Sequence, residues 1–164
     1  WVPSELRPAW DSLGRDLMDR ASRLMSDYTP QDGIRLHGDC HVGNILWRDD
    51  TPHFVDLDDC FTGPAIQDLW MFLSGDRAQR ELQLAELIAG YEEFNDFDPR
   101  EIKWIEALRT ARMVYYSAWL ARRWEDPAFP VAFPWFGQER YWADQILALR
   151  EQLALLEEEP LRLL

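Results

Sequence analysis

The stretch from Arg35 to Leu46, RLHGDCHVGNIL, restricts the fold of this chain more than any other. It sets His37, Asp39, His41 and Asn44 close together, with Gly38 and Gly43 between them and apolar residues on both sides. Burying polar groups at that density is costly unless each is paired or takes part in chemistry. An isolated His or Asp reads as a hydrogen-bonded structural group. The full pattern instead asks for a loop built to hold these side chains together.

The flanking residues suggest how. IRL (34–36) and ILW (45–47) read as short strands, RDDTP (48–52) as a turn, and HFVDL (53–57) as a further strand. With the turn so placed, Trp47 faces His53, Leu46 faces Phe54, Ile45 faces Val55 and Asn44 faces Asp56. Facing residues of an antiparallel pair have Cβ atoms about 4.5–5.5 Å apart. A carboxylate and an amide oxygen then meet at the open end of a hairpin, directly after the loop carrying Asp39. Hard oxygen ligands of this kind suit Mg²⁺, which keeps its remaining positions for water and phosphate. Asp39 also precedes Asn44 at the Asp-x-x-x-x-Asn spacing of a kinase catalytic loop. In that template the Asp accepts the substrate hydroxyl proton and the Asn holds a metal ion. A further Asp after a strand, where Asp56 stands, holds the metal that bridges the ATP phosphates.

The rest of the chain reads as helices. Trp10, Leu13, Leu17, Ala21 and Leu24 recur at helical spacing from a start near Ser4 to Pro8, and TPQDG (29–33) ends that region. Gly63 and Pro64 mark a helix start and Gly75 its stop. Three later stripes follow: Leu84, Leu87, Ile88, Tyr91 and Phe94; Trp104, Leu108, Ala111, Tyr115 and Trp119; and Ile146, Leu149, Leu153 and Leu156. Between the last two, Pro127, Pro130 and Pro134 forbid a continuous helix, and the aromatic residues among them are expected to cap the core. The expectation is one α+β domain, mostly helical, with a small β insertion.

Composition narrows the function classes. The 164 residues suffice for one domain with a core, and 47% apolar residues exclude a disordered chain. Thirty acidic against 17 basic residues leave a net charge of −13, which argues against a nucleic-acid or anionic-membrane surface. Cys40 and Cys60 form no spaced framework. No signal-peptide pattern or membrane-length apolar run is visible, so the expected compartment is the cytoplasm with reduced thiols. The first residue is Trp1 and the only lysine is Lys103, and the chain reads as a fragment of something longer.

HGDCHVGNIL, FVDLDD and GPAIQDLW together resemble the aminoglycoside phosphotransferase and choline kinase branch of the protein-kinase-like fold. Its signature runs H-G-D-x-H-x-x-N, followed by a strand ending in Ile/Val-Asp. QDLWMFLSGD, YEEF and DPAFP extend the likeness through the helical half, toward bacterial stress-response serine/threonine kinases of that branch. The resemblance implies the C-terminal lobe of such a fold over residues 1–164, with a small β-hairpin carrying the metal site. Residues 1–75 would hold the catalytic loop and metal-site region, and 76–164 a helical, acceptor-side subdomain. It implies ATP as co-substrate and Mg²⁺ as cofactor, with Asp39 as the catalytic aspartate and Asn44 and Asp56 holding the metal. His37 would pack beneath the metal-binding aspartate, and Asp68 would brace the catalytic loop through its backbone. The resemblance leaves the role of His41 open between a phosphate and the metal region.

Departures from the pattern carry information too. Gly38 replaces the Arg of the eukaryotic loop, so activation through a phosphorylated loop pairing that Arg is not expected. Asp58 and Asp59 are extra carboxylates beside Asp56. Nothing matches G-x-G-x-x-G, and Lys103 lies in a helical segment, so the nucleotide-clamping N-terminal lobe is absent from these residues. The expectation is that they alone bind Mg-ATP weakly and transfer no phosphate. The acceptor is a protein Ser or Thr hydroxyl, or a small aminoglycoside- or choline-type hydroxyl compound. Two other readings remain: a phosphohydrolase holding Zn²⁺ or Mn²⁺ with His37, Asp39, His41 and Asp56, and a helical interaction module without catalysis.

Overall fold

In a computed structural model, which describes residues 1–163, the chain divides into two units. One comprises Trp1–Ser26 with Glu106–Glu158, and the other Asp27–Ile105 with Glu159–Leu164.

The first unit is helical. Helix α1 (Arg7–Leu24) opens with Pro8 in its first turn, where the missing N–H costs nothing, and buries Leu13, Leu17 and Ala21. Helix α4 starts at Ile105 and runs to Arg123, α5 covers Ala128–Ala132, and α6 covers Glu139–Leu155. Leu13, Leu17 and Ala21 pack with Ala107, Ile146, Leu149 and Leu156. A second cluster gathers Leu120, Phe136 and Trp142, with Trp119, Trp124, Phe129, Phe133, Trp135 and Tyr141 against it. The aromatic residues of the proline-rich segment thus close the end of this core. Helix α4 departs from the expected stripe: Ala111 and Tyr115 are exposed, while Ala107, Thr110, Ser117 and Leu120 are buried. The hydroxyls explain the rotation. Thr110 donates to the carbonyl of Glu106 (2.7 Å) and Ser117 shares a hydrogen bond with Tyr141 (2.9 Å), so both polar residues enter the core already satisfied.

The second unit is built from short pieces. Strand β1 (Ile34–Leu36) pairs antiparallel with β4 (Phe61–Gly63), a strand the sequence pattern did not reveal. Strands β2 (Ile45–Arg48) and β3 (Thr51–Phe54) form the hairpin. Its register is one residue off the expected one: Ile45 faces Phe54, Leu46 His53, Trp47 Pro52 and Arg48 Thr51. The turn is only Asp49-Asp50, both with positive φ (50° and 57°), a left-handed pair that Asp tolerates and that closes a two-residue loop. In that register Pro52 falls in a non-hydrogen-bonded pair and needs no N–H. Asn44 is therefore opposite Val55, whose N–H donates to its carbonyl (3.0 Å), and the facing pair of Asn44 and Asp56 does not form.

Helix α2 is one turn, Ile66–Leu69, continued by a tighter 3₁₀ turn over Trp70–Phe72, so the helix expected to run from Gly63 to Gly75 is much shorter. Helix α3 (Arg77–Tyr91) begins at a reciprocal cap between Asp76 and Gln79 and buries Leu84 and Ile88, while Phe94 lies beyond its end and is exposed. No helix among the described residues is long and apolar enough to cross a membrane.

Candidate active site

The loop between β1 and β2 is anchored from below by α2. Asp68 accepts the backbone N–H of His37 (2.6 Å) on one carboxylate oxygen and that of Gly38 (2.9 Å) on the other. Gln67 donates its side-chain amide to the carbonyl of Gly38 (3.2 Å), and its own oxygen takes the indole N–H of Trp70 (3.2 Å). Gly38 sits at φ +88°, and a Cβ there would fall on the carbonyl of Asp59, so only glycine lets the loop pass. Burial raises the Cys40 thiol to about 11, helped by the negative charges of Asp68 and Asp39. Cys40 and Cys60 are both free thiols.

Both ring nitrogens of His37 are engaged. Nε2 donates to the carbonyl of Val55 (2.8 Å), and Nδ1 faces the backbone N–H of Asp39 (3.4 Å). The ring thus links the loop to the segment entering Asp56. Asn44 closes the loop by donating its amide to the carbonyl of Asp39 (3.0 Å), and it is nearly fully buried at the end of a 3₁₀ turn over Val42–Asn44. His41 caps that turn: its Nδ1 accepts the N–H of Gly43 (3.0 Å), and its Nε2 lies 3.5 Å from Asp39 Oδ2.

Asp56 follows the hairpin in a left-handed conformation (φ 64°, ψ 62°) and is exposed. Its side chain does not cap the 3₁₀ turn over Leu57–Asp59 that follows. Asn44 has committed its amide nitrogen, so its oxygen is the atom left for a cation. Asn44 and Asp56 would together offer hard oxygen donors, the chemistry that suits a magnesium ion. It is not the nitrogen- or thiolate-containing set that selects Zn²⁺. His37 has no nitrogen to spare, and among the described residues no three His, Cys, Asp or Glu side chains are grouped to hold a metal ion.

Residues 1–105 match the family described as "Phosphotransferase enzyme family". The chain belongs to this family. Among similar phosphotransferases, "Stress response kinase A" of Escherichia coli (strain K12) is 52% identical over 163 residues, covering 99% of this chain and 48% of that protein. "Serine/threonine protein kinase RdoA" of Salmonella typhimurium is 59% identical over 130 residues, covering 79% of this chain and 39% of that protein. The chain spans about half the length, or less, of the curated relatives it matches.

Sequence reasoning reached His37, Asp39, His41, Asn44, Asp56 and Asp68. The structure brings His37, Asp39, His41 and Asn44 into one loop that Asp68 holds from α2, while Asp56 is tied in through its neighbour Val55. It adds Gln67 and Glu101. Glu101 is buried and takes the N–H of Ile66 (2.8 Å), capping α2 where Ala65 has no cap to offer. Gln67 stands beside Asp68 in the sequence, a cue of sorts. Glu101 acts across 35 positions and left no local signal.

Proposed function

We propose that this chain carries the base and the metal-holding side chains for ATP-dependent phosphoryl transfer to a hydroxyl, most plainly a protein serine or threonine. The observation that carries the reading is the fixed span from Asp39 to Asn44, closed by the 3.0 Å bond between the Asn44 amide and the Asp39 carbonyl. A base and a metal ligand that must act on one phosphoryl group need a constant separation, and this bond supplies it.

Asp39 orients the acceptor hydroxyl and takes its proton as that oxygen bonds the γ-phosphorus and the bond to the β–γ bridging oxygen breaks, releasing ADP. Asn44 and Asp56 offer oxygen to a cation, and bound Mg-ATP would supply the transferable phosphoryl group with its charge neutralised. Asp68 and Gln67 hold the loop backbone so that Asp39 does not drift. The choice of acceptor rests on the name of the Salmonella relative.

The hairpin supports a further part of the reading. Leu46, Trp47 and Phe54 are exposed on it, Trp47 at 71% of its surface, beside the site loop. Apolar surface of that kind suits packing against another part of a longer polypeptide, and we assign the nucleotide-clamping portion to that part. Its absence from these residues leaves them without turnover of their own.

The test is transfer of the γ-phosphate of labelled ATP by the longest natural polypeptide that carries this sequence, with Asp39→Asn as control. Proteins are offered in one arm, amino-sugars and amino-alcohols in the other. Label on serine or threonine that disappears in the variant supports the proposal. Label on small molecules alone moves the acceptor to that class. Label that survives Asp39→Asn removes Asp39 as the base, and turnover by the 164 residues alone ends the assignment of the clamp elsewhere.

A further inference from the structure

His41 lies beside the proposed base, yet neither the phosphoryl-transfer template nor the family resemblance gives it a task. Its ring is seated with unusual care. Nδ1 accepts the backbone N–H of Gly43 at 3.0 Å, so that nitrogen carries no proton, and in the neutral ring the proton resides on Nε2. Gly43 is the residue that makes the seat possible. A Cβ at that position would lie 2.7 Å from His41 Cε1 and 2.9 Å from Nδ1, closer than a side-chain carbon approaches a ring. The backbone thus fixes both the place of the ring and the identity of its donor.

That donor faces the base. Nε2 is 3.5 Å from Asp39 Oδ2, roughly half an ångström longer than a formed N–H···O bond. Catalytic hydrogen bonds of this length commonly shorten when substrate binds. The same ring caps the turn over Val42–Asn44, the last residue of which is Asn44. One imidazole therefore touches the carboxylate of Asp39 on one side and the turn that delivers Asn44 on the other.

We propose that His41 is a positioning residue for the phosphoryl-transfer reaction. Its backbone-fixed Nε2–H reaches Oδ2 of Asp39 and fixes the rotation of the carboxylate that takes the hydroxyl proton. The proposal rests on Asp39 being the base. Capping alone would make the ring a structural part, and the two tasks use different nitrogens.

Substitutions that mimic each nitrogen separate them. In His41→Asn the side-chain oxygen falls near the place of Nδ1, so the cap on Gly43 is kept and the donor toward Asp39 is lost. In His41→Gln the amide nitrogen falls near the place of Nε2, so the donor is kept and the cap is lost. Both are made in the longest natural polypeptide, and kcat and the KM for ATP are measured for each. The expected result is a kcat about ten-fold or more lower in His41→Asn than in His41→Gln, with the KM for ATP close to that of the parent in His41→Asn, where the cap is kept. A reversed order, equal losses, or no loss in either variant overturns the proposal, because capping or nothing then accounts for the ring.

A readout without catalysis accompanies the kinetics. The ¹⁵N shifts of the His41 ring, at a pH where it is neutral, should show a bare Nδ1 and a protonated Nε2. In Gly43→Ala the ring should lose that fixed tautomer. A parent ring with the proton on Nδ1 also overturns the proposal. Full activity in Asp39→Asn would instead defeat the reading of Asp39 itself, while leaving the tautomer result as found.

Discussion

The two units hold themselves together by different physics. In the helical unit, Phe136 is fully buried, with ring centroids 4.8 Å from Trp124, 5.1 Å from Trp142 and 5.4 Å from Tyr141. Such contacts stabilise strongly and are indifferent to the exact direction of any one atom. In the unit that carries the loop, α2 is a single turn, the strands are three or four residues long, and position is set by side chains bonded to backbone. Asp68, Gln67, His37 and Asn44 each reach a main-chain group of the loop or its neighbour. Apolar burial gives stability; directional bonds give placement. The proposed phosphoryl transfer would need the second.

Conservative substitutions should break the two units differently. Phe136→Ala has the largest expected effect, a loss of about 3–5 kcal/mol in urea unfolding. Phe136→Leu, which keeps much of the apolar volume, should cost much less, about 1–2 kcal/mol. A Phe136→Leu loss equal to that of Phe136→Ala would show that ring geometry, not burial, governs this core. Asp68 should behave in the opposite way. Asp68→Asn keeps the size but replaces one of two accepting oxygens with a donor that faces an N–H. We expect a loss of about 2–3 kcal/mol in stability and, in the longest natural polypeptide, about a hundred-fold in kcat. If Asp68→Asn is as mild as Phe136→Leu, placement of the loop does not depend on that carboxylate.

The same contrast explains what could be read in advance. The stripes on α1 and α6 were legible because apolar periodicity reports burial directly, as Leu13, Leu17, Ile146 and Leu149 show. The stripe on α4 was misread because Thr110 and Ser117 are buried, and a polar residue enters a core only through partners that periodicity does not display. The density of His, Asp and Asn between residues 37 and 44 was visible as a loop that holds polar side chains together. Its exact support was not. The hairpin register turned on two aspartates accepting positive φ, and β4 is too short to carry an alternating pattern. The two bonds of Asp68 and the cap by Glu101 join residues 30 or more positions apart, which only folding brings together.

Glu101 offers the smallest effect and the sharpest check on the polar unit. It is buried, and its Oε2 takes the N–H of Ile66 at 2.8 Å. Burial pushes its carboxyl above the usual range; the backbone N–H groups of Ile66 and Ala65 pull it down, and Asp98 pushes it up again. The net direction is upward from 4.5. A carboxyl with a folded-state value above its unfolded one contributes stability that is present below the unfolded value. That contribution is lost as pH rises through the folded one. Glu101→Gln keeps an accepting oxygen for Ile66 and does not titrate. The stability of the parent minus that of Glu101→Gln should therefore fall as pH rises from about 4 toward neutrality, then level off. Thermal unfolding of both proteins across that range measures it. A difference that grows with pH would mean that the backbone bonds outweigh burial, making the charged carboxylate the true cap of α2. A flat difference would mean that the group is not buried enough for its charge to matter.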